Sequence, residues 1–200
     1  WNACPWLQVG GNITLSTNKI RGYTAYYEMY DNMNDWNYLG QHHVDFEKAD
    51  ILMSPSYVGM ASATLRPFAH MAGSLNSAYL TWNGKYVGRQ FYDNTSSLER
   101  SIPAYFVADL SLGYEVPLRR TFAGAKDDKV GVKDDKAGTP NEKSGTLAFS
   151  FHVNNMFNHM YYADAWLWRA YFQQEDAYYS EIGIYPQAPV NFMFKVAYRF

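Results

Sequence analysis

Apolar and polar residues alternate without a fault over the closing stretch VNFMFKVAYRF, residues 190–200. Val190, Phe192, Phe194, Val196, Tyr198 and Phe200 fall on one side of an extended chain, and Asn191, Met193, Lys195, Ala197 and Arg199 on the other. The same two-residue period runs through LQVGGNITLST (7–17), YFVADLSLGYEV (105–116) and TLAFSFHVN (146–154), and more loosely through 51–66 and 75–90. Such alternation is the mark of antiparallel strands with one apolar and one polar face. It predicts an all-β chain, an antiparallel meander of about six long strands near 7–18, 51–66, 75–91, 104–118, 145–156 and 189–200. Long connections at 19–50, 91–103 and 156–189 fall at one end of the strands, and 67–74 and 119–143 at the other. The 119–143 connection repeats KDDK at 126–129 and 133–136 and has no aromatic residue after Phe122, so it reads as a solvated, disordered excursion. Its paired aspartates lack the glycine and the bidentate glutamate of an EF-hand loop.

The pattern alone fits two architectures. A soluble sandwich turns its apolar face inward, whereas a membrane barrel turns it outward to lipid and lines its interior with the polar face. Strand length separates them: globular strands typically run about five or six residues, and a tilted membrane strand about nine to eleven. The predicted strands have the greater length. Aromatic residues make up 18% of the chain, and Tyr86, Phe91, Tyr92, Tyr105, Phe106, Tyr114, Phe157, Tyr161 and Tyr162 fall near strand ends, where interfacial girdles are built. With the exception of 119–143, connections that are long at one end and shorter at the other point the same way. No run of eighteen apolar residues offers a transmembrane helix, which leaves a barrel open. The net charge of −2 gives no electrostatic basis for nucleic-acid binding. The single Cys4 cannot form an internal disulfide. The start at Trp1, with no initiator Met or leader-like stretch, reads as a fragment or a processed piece.

Three stretches carry a family resemblance. They are NGKYVGRQFYDNTSSLERSIPAYFVADLSLGYEV (83–116), FSFHVNNMFNHMYYADAW (149–166) and YPQAPVNFMFKVAYRF (185–200). In order and spacing they resemble the last strands of TonB-dependent outer-membrane receptors of the kind common in the Bacteroidota. The VNNMFN run at 153–158, followed by Tyr161 and Tyr162, resembles the family's penultimate-strand signature. The closing row Phe194, Val196, Tyr198 and Phe200 resembles the signal read by the barrel-assembly machinery. The resemblance implies that residues 1–200 are the C-terminal part of a transmembrane barrel of twenty-two strands, with the plug domain and earlier strands outside this sequence. It implies a Gram-negative outer-membrane location and energy-coupled uptake of a scarce nutrient such as a siderophore, haem, cobalamin or glycan. The implied partners are outer-membrane lipid, the TonB complex through the absent N-terminal part, the assembly machinery, a small-molecule ligand and, as an open choice, a surface lipoprotein. No cofactor and no catalysis are implied. The competing readings are a non-transporting barrel and a soluble carbohydrate-binding β-sandwich.

Counting back from a periplasmic C-terminus makes 19–50, 91–103 and 156–189 external. Within 156–189, Trp166, Trp168, Arg169, Tyr171, Tyr178, Tyr179 and Glu181 offer aromatic faces beside charged groups, a combination suited to a bulky polar ligand. The bland account of the same residues is that they pack the loop onto its neighbours. His42, His43, Asp45 and Glu47 are metal-type ligands, but adjacent histidines on an extended chain point opposite ways, which weakens a shared site. The predicted polar faces carry Arg66, Lys85, Arg89, Asp109, Glu115, His152, Lys195 and Arg199, read as a wetted wall with local ion pairs. No nucleophile elbow, P-loop or zinc-protease spacing occurs.

Overall fold

The computed structural model of the chain describes residues 1–118 and 145–200. The expected solvated connection with its KDDK repeats lies outside the described residues. Among the described residues the chain is all-β, with two short 3-10 turns and no α-helix.

The strands with the cleanest alternation form the main sheet. These are β2 (Leu7–Leu15), β5 (Tyr57–Leu65), β6 (Tyr79–Val87), β9 (Tyr105–Leu118), β10 (Gly145–Asn154) and β13 (Asn191–Arg199). Each pairs antiparallel with its neighbour in that order, and the short β1 (Asn2–Cys4) adds a seventh strand beside β2. The meander is therefore as predicted. Two predicted bounds shift most: 51–56 is a connector rather than strand, and 75–78 belongs to a 3-10 turn (Ser74–Ser77) and its cap.

Register then sorts the side chains. Leu7, Leu65, Leu80, Leu112, Phe151 and Phe194 are successive partners across six strands, and Val9, Ala63, Trp82, Leu110, Val153 and Phe192 form the next such row. One face is thus apolar from edge to edge. Thr64, Thr81, Ser111, His152 and Met193 are partners on the opposite face. A one-residue slip in any strand would interchange the two sets, so the apolar row fixes the register.

Among the described residues no element covers the apolar face. Ile13 is 69% exposed, and Phe192 and Phe194 are each 64% exposed. Burying one such side chain is worth roughly 1.5–3 kcal/mol, so a row of them left in water is a large unmet driving force. Glycines on the sheet are covered by aromatics: the Tyr79 ring lies where a Cβ on its partner Gly113 would stand.

The buried core lies elsewhere. The two largest fully buried side chains are Phe172 and Ile102, both in segments expected to be loops. Segments 19–50 and 156–189, expected as long connections, are themselves mostly strand. They fold into two long hairpins, β3 (Lys19–Tyr30) with β4 (Tyr38–Asp50), and β11 (Tyr162–Phe172) with β12 (Ala177–Pro186). The hairpins join into a second sheet, ordered β12-β11-β3-β4. Between them, β7 (Gln90–Phe91) and β8 (Ser101–Ile102) make a minimal pair.

The expected aromatic girdle is corrected in part. Tyr57 and Tyr86 stack at 5.3 Å, and Phe106 meets Phe157 at 6.4 Å; all four rings belong to the apolar side at the hairpin end of the sheet. Tyr92, Tyr105, Tyr161 and Tyr162 instead contribute to a cluster with Val87 and Ile102. The parity of Val87 and Tyr105 puts that cluster on the polar-face side, where the hairpin segment 161–167 folds over the sheet.

Candidate functional site

The three connections 16–56, 88–104 and 155–190 leave the same end of the main sheet and converge there. Several bonds tie them into one unit. Asp50 receives the Ser96 hydroxyl at 2.7 Å and pairs with Lys19. The Leu52 amide donates to Asn94, and the Met53 amide to the Phe91 carbonyl at 3.0 Å. Burial works against the Asp50 charge, but the bonds from Lys19 and Ser96 outweigh it and hold the carboxyl below its ordinary range. Asp93 pairs with Arg100 at 2.8 Å within 88–104.

The root of the 155–190 hairpin is set by asparagines of the VNNMFN run. Asn155 and Asn158 both take left-handed backbone, with φ of 49° and 50°. Asn155 is buried; its amide nitrogen reaches the carbonyls of His159 (2.9 Å) and Ala188 (3.2 Å), and its side-chain oxygen accepts the His159 amide at 2.9 Å. Its own backbone N–H donates to Asp109 at 2.8 Å. Asn158 accepts the Val190 amide at 3.0 Å. The run that carries the resemblance is thus a turn that joins β9, β10 and the entry to β13.

The hairpin tips meet through a parallel ladder over Ala170–Phe172 and Glu28–Tyr30. It continues into the turns, where Gln173 and Gln174 donate to the carbonyls of Tyr30 and Asp31, each at 2.9 Å. Asp31 shapes its own turn by accepting Asn37 through both side chain and backbone. The side-chain bond from Asn37 is the main reason its carboxyl is held low.

Strand alternation divides the aromatics of this sheet into two groups. On one face Trp36 stacks on Trp168 (6.1 Å, 12°) and meets Phe172 at 4.7 Å and Tyr179 at 5.6 Å. On the other face Tyr171 stacks on His42 at 4.0 Å, and the Tyr178 hydroxyl meets His42 Nε2 at 3.0 Å. There the Arg169 guanidinium lies 4.2 Å from the Tyr178 ring centre and 5.0 Å from that of Tyr27, and its Nε donates to Ser180 at 3.0 Å. The predicted ligand residues are therefore not one cluster. Trp168 and Tyr179 belong to the first group, and Arg169, Tyr171 and Tyr178 to the second. Glu181 accepts the Tyr179 hydroxyl, and Trp166 covers Gly183. Most of these contacts hold hairpin to hairpin, as the bland account had it.

A cavity of about 320 Å³ opens where the three connections meet, with Tyr23, Tyr27, Asp93, Thr95, Leu167 and Arg169 in its wall. Sequence reasoning missed Tyr23, Tyr27, Asp93 and Thr95. Alternation along β3 puts Tyr23, Ala25 and Tyr27 on one face, but Tyr26 and Tyr30 on the other leave no contrast that would single them out. Burial pushes the Tyr27 phenol above its ordinary range, and nearby Arg169 works in the other direction. A second cavity of about 320 Å³ lies under 161–163 on the polar face, with Asn83, Lys85, Tyr105, Asp109 and Gln187 in its wall. Mixed charges beside aromatic faces suit binding of a polar ligand.

Alternation along β4 puts His42 on one face and His43, Asp45 and Glu47 on the other. His42 faces Tyr171, His43 packs near Tyr26 and Asp45 accepts the Thr24 hydroxyl. Among the described residues no group of three or more His, Cys, Asp or Glu could hold a metal ion. On the polar face Ser111 Oγ lies 2.8 Å from His152 Nδ1, the spacing of a nucleophile and its base. The other ring nitrogen meets Ser150 at 3.0 Å rather than a carboxylate, so the third member of a triad is missing. The wetted-wall residues form local pairs: Arg199 with Glu115 at 2.9 Å, and Arg89 with the Ser101 hydroxyl at 2.8 Å. No protein-family model matches the chain, and no curated protein matches its sequence.

Proposed function

We propose that this chain is the C-terminal part of an outer-membrane β-barrel receptor of the TonB-dependent kind, in which the hairpin end faces outward and takes part in nutrient capture. The observation that carries the reading is the inverted distribution of apolar surface. Six register-matched strands present an apolar face that no described element covers, while the buried aromatic residues gather at one end, in the hairpins, the 88–104 connection and the polar-face side of the sheet beneath them. Water does not favour such a face, and lipid does. β2, β5, β6 and β13 each have nine residues, and β9 has fourteen; a tilted span needs about nine to eleven. Aromatic rings mark both ends of the face, with Tyr57, Tyr86 and Phe106 at the hairpin end and Tyr114 and Tyr198 at the other. Among the described residues the edges at β1 and β13 each have one neighbouring strand. Lipid supplies no hydrogen-bond partners, so on this reading further strands of the same protein complete the ring. The soluble sandwich loses support because the second sheet extends from one end of the strands and leaves the apolar face bare.

The test uses the intact protein. It is expected in the outer-membrane fraction, resistant to detergent unfolding until heated. Uptake of its nutrient should stop when the inner-membrane proton gradient is collapsed, while binding at the cell surface continues. Recovery as a soluble protein would defeat the membrane reading. Uptake that is indifferent to the gradient would leave a barrel that does not import by energy coupling.

A further inference from the structure

The connection between β5 and β6 does more than turn the chain. Pro67, Phe68 and Leu75 come to lie at the foot of the apolar face, with Ala78 behind them. The connection is held in shape by its own turns. Ala69 donates to the Arg66 carbonyl at 3.1 Å, Met71 to Phe68 at 2.9 Å and Ala78 to Leu75 at 3.1 Å. It is also bonded to β9: the Ser77 hydroxyl donates to the Glu115 carbonyl at 2.7 Å and accepts the Glu115 amide at 2.9 Å. Wall and sheet therefore form one piece.

Between them runs a groove of about 640 Å³. Its floor is a single register row, Leu80, Leu112, Phe151 and Phe194, on four adjacent strands. Among the described residues no charged side chain contributes to its lining. A groove of this size falls within the roughly 300–1,000 Å³ of small-molecule sites, and its lining admits only an apolar occupant.

We propose that this groove holds one acyl chain of a phospholipid at the end of the barrel away from the hairpins. The inference rests on the membrane reading above and goes beyond it. A smooth lipid-facing wall exchanges lipid freely, whereas a preformed groove with a pinned wall retains one. The occupant follows from position. The groove floor continues the apolar rows of the main sheet, so whatever solvates those rows also meets the groove. Tyr114, at the aromatic end of the face, stands in its lining, which sets the groove at the level where acyl chains meet headgroups. The wall itself exposes Phe68 and Leu75, with Met71 beyond them on the same connection, so the wall too requires an apolar surrounding.

The test reconstitutes the intact protein into vesicles of phosphatidylethanolamine and phosphatidylglycerol, extracts it into mild detergent and counts retained phospholipid by native mass spectrometry. The wild type should keep bound phospholipid. Leu112→Trp, which fills the floor, should keep several-fold less. Leu75→Ala, which lowers the wall without altering a strand, should also keep less and covers the case in which Leu112→Trp does not fold. Ile13→Trp, on the apolar face away from the groove, should retain as the wild type does. In parallel, the added tryptophan of Ile13→Trp should be quenched by phospholipid with brominated chains. Quenching at that site together with equal retention in all variants, or with no retention by the wild type, overturns the groove proposal and leaves the membrane reading standing. Absence of quenching sinks the membrane reading and the groove with it. A dimer that Leu112→Trp dissociates would show that a second copy, not lipid, occupies the groove.

Discussion

Asn155 offers the sharpest test of how the strand ends are held. The residue is 4% exposed and has left-handed backbone. Replacing it by Ala removes the two bonds that its amide nitrogen donates, to His159 and Ala188, and the one that its oxygen accepts from His159. Each such bond is worth about 0.5–1.5 kcal/mol net. A left-handed residue also costs Ala about 1 kcal/mol, a cost that Asn offsets in part through local bonding. The sum is a loss of about 2–5 kcal/mol in the local stability of the turn. Because every 1.4 kcal/mol is tenfold, a loss near 2.8 kcal/mol raises local opening about 100-fold. Hydrogen exchange of the intact protein in detergent, followed by mass spectrometry, reads this directly. Peptides over 155–160 and 186–191 should exchange faster, while peptides from β5 and β6 should not change. Asn155→Gly keeps the backbone conformation and loses only the side-chain bonds, so it should fall short of Asn155→Ala by about 1 kcal/mol. An acceleration below about threefold in Asn155→Ala would refute the reasoning, since it would put the three bonds together under the net worth of one.

Three further outcomes are expected. Gly113→Ala should destabilise by about 1–3 kcal/mol in urea unfolding because its Cβ meets the Tyr79 ring; in a Tyr79→Ala background the same change should cost far less. The Tyr92 phenol is pushed well above its ordinary range, mainly by burial and then by the Tyr162 hydroxyl beside it. Its contribution to stability is therefore complete below about pH 10, the unfolded value, and declines as the pH climbs above it, a decline that melting curves should show flattened in Tyr92→Phe. Phe200 is 98% exposed, its ring centre 6.0 Å from that of Tyr198, so on the outer-membrane reading Phe200→Ala should leave the melting temperature unchanged while lowering the amount of intact protein in that membrane; unchanged abundance would leave the residue as ordinary packing.

The main sheet was legible because its information is local. Period-two alternation in 105–116, 146–154 and 190–200 determines which residues share a face, and pairing then follows from matching the apolar rows. The hairpins were not, because their strands hide the same period under polar and aromatic residues. In KIRGYTAYYEMY the inward set is Tyr23, Ala25 and Tyr27, while Tyr26 and Tyr30 alternate with them on the other face, so tyrosine appears on both sides and no hydrophobic contrast remains. The parallel contact between β3 and β11 could not be read either, since it joins segments more than a hundred residues apart through only three pairs. Asn155 and Asn158 were recognised as a pattern, but the pattern does not announce that both need positive φ.

The candidate site shows why residue type alone misleads at such an end. Arg169 reads in sequence as a cation free to meet a ligand. In the fold, Tyr27 and Tyr178 lie against its guanidinium and its Nε is spent on Ser180, so it ties β3, β11 and β12 together. Tyr171 and Tyr178 are likewise engaged with His42 from the other hairpin. A ligand that competed for these groups would have to separate the hairpins. The cavity bounded by Tyr23, Tyr27, Asp93 and Thr95 asks for no such separation: it already exists where three connections converge, and Arg169 stands at its wall held in place by the contacts that remove it from the open surface. On the receptor reading, capture at this end is expected to depend on Tyr23 and on the Asp93–Thr95 pair, which Arg100 braces as one unit, through direct contact, and on Arg169, Tyr171 and Tyr178 through the shape they hold. Substitutions at the first set should weaken ligand binding with the hairpins intact, and at the second set should weaken it only as hydrogen exchange in the β3–β11 ladder rises.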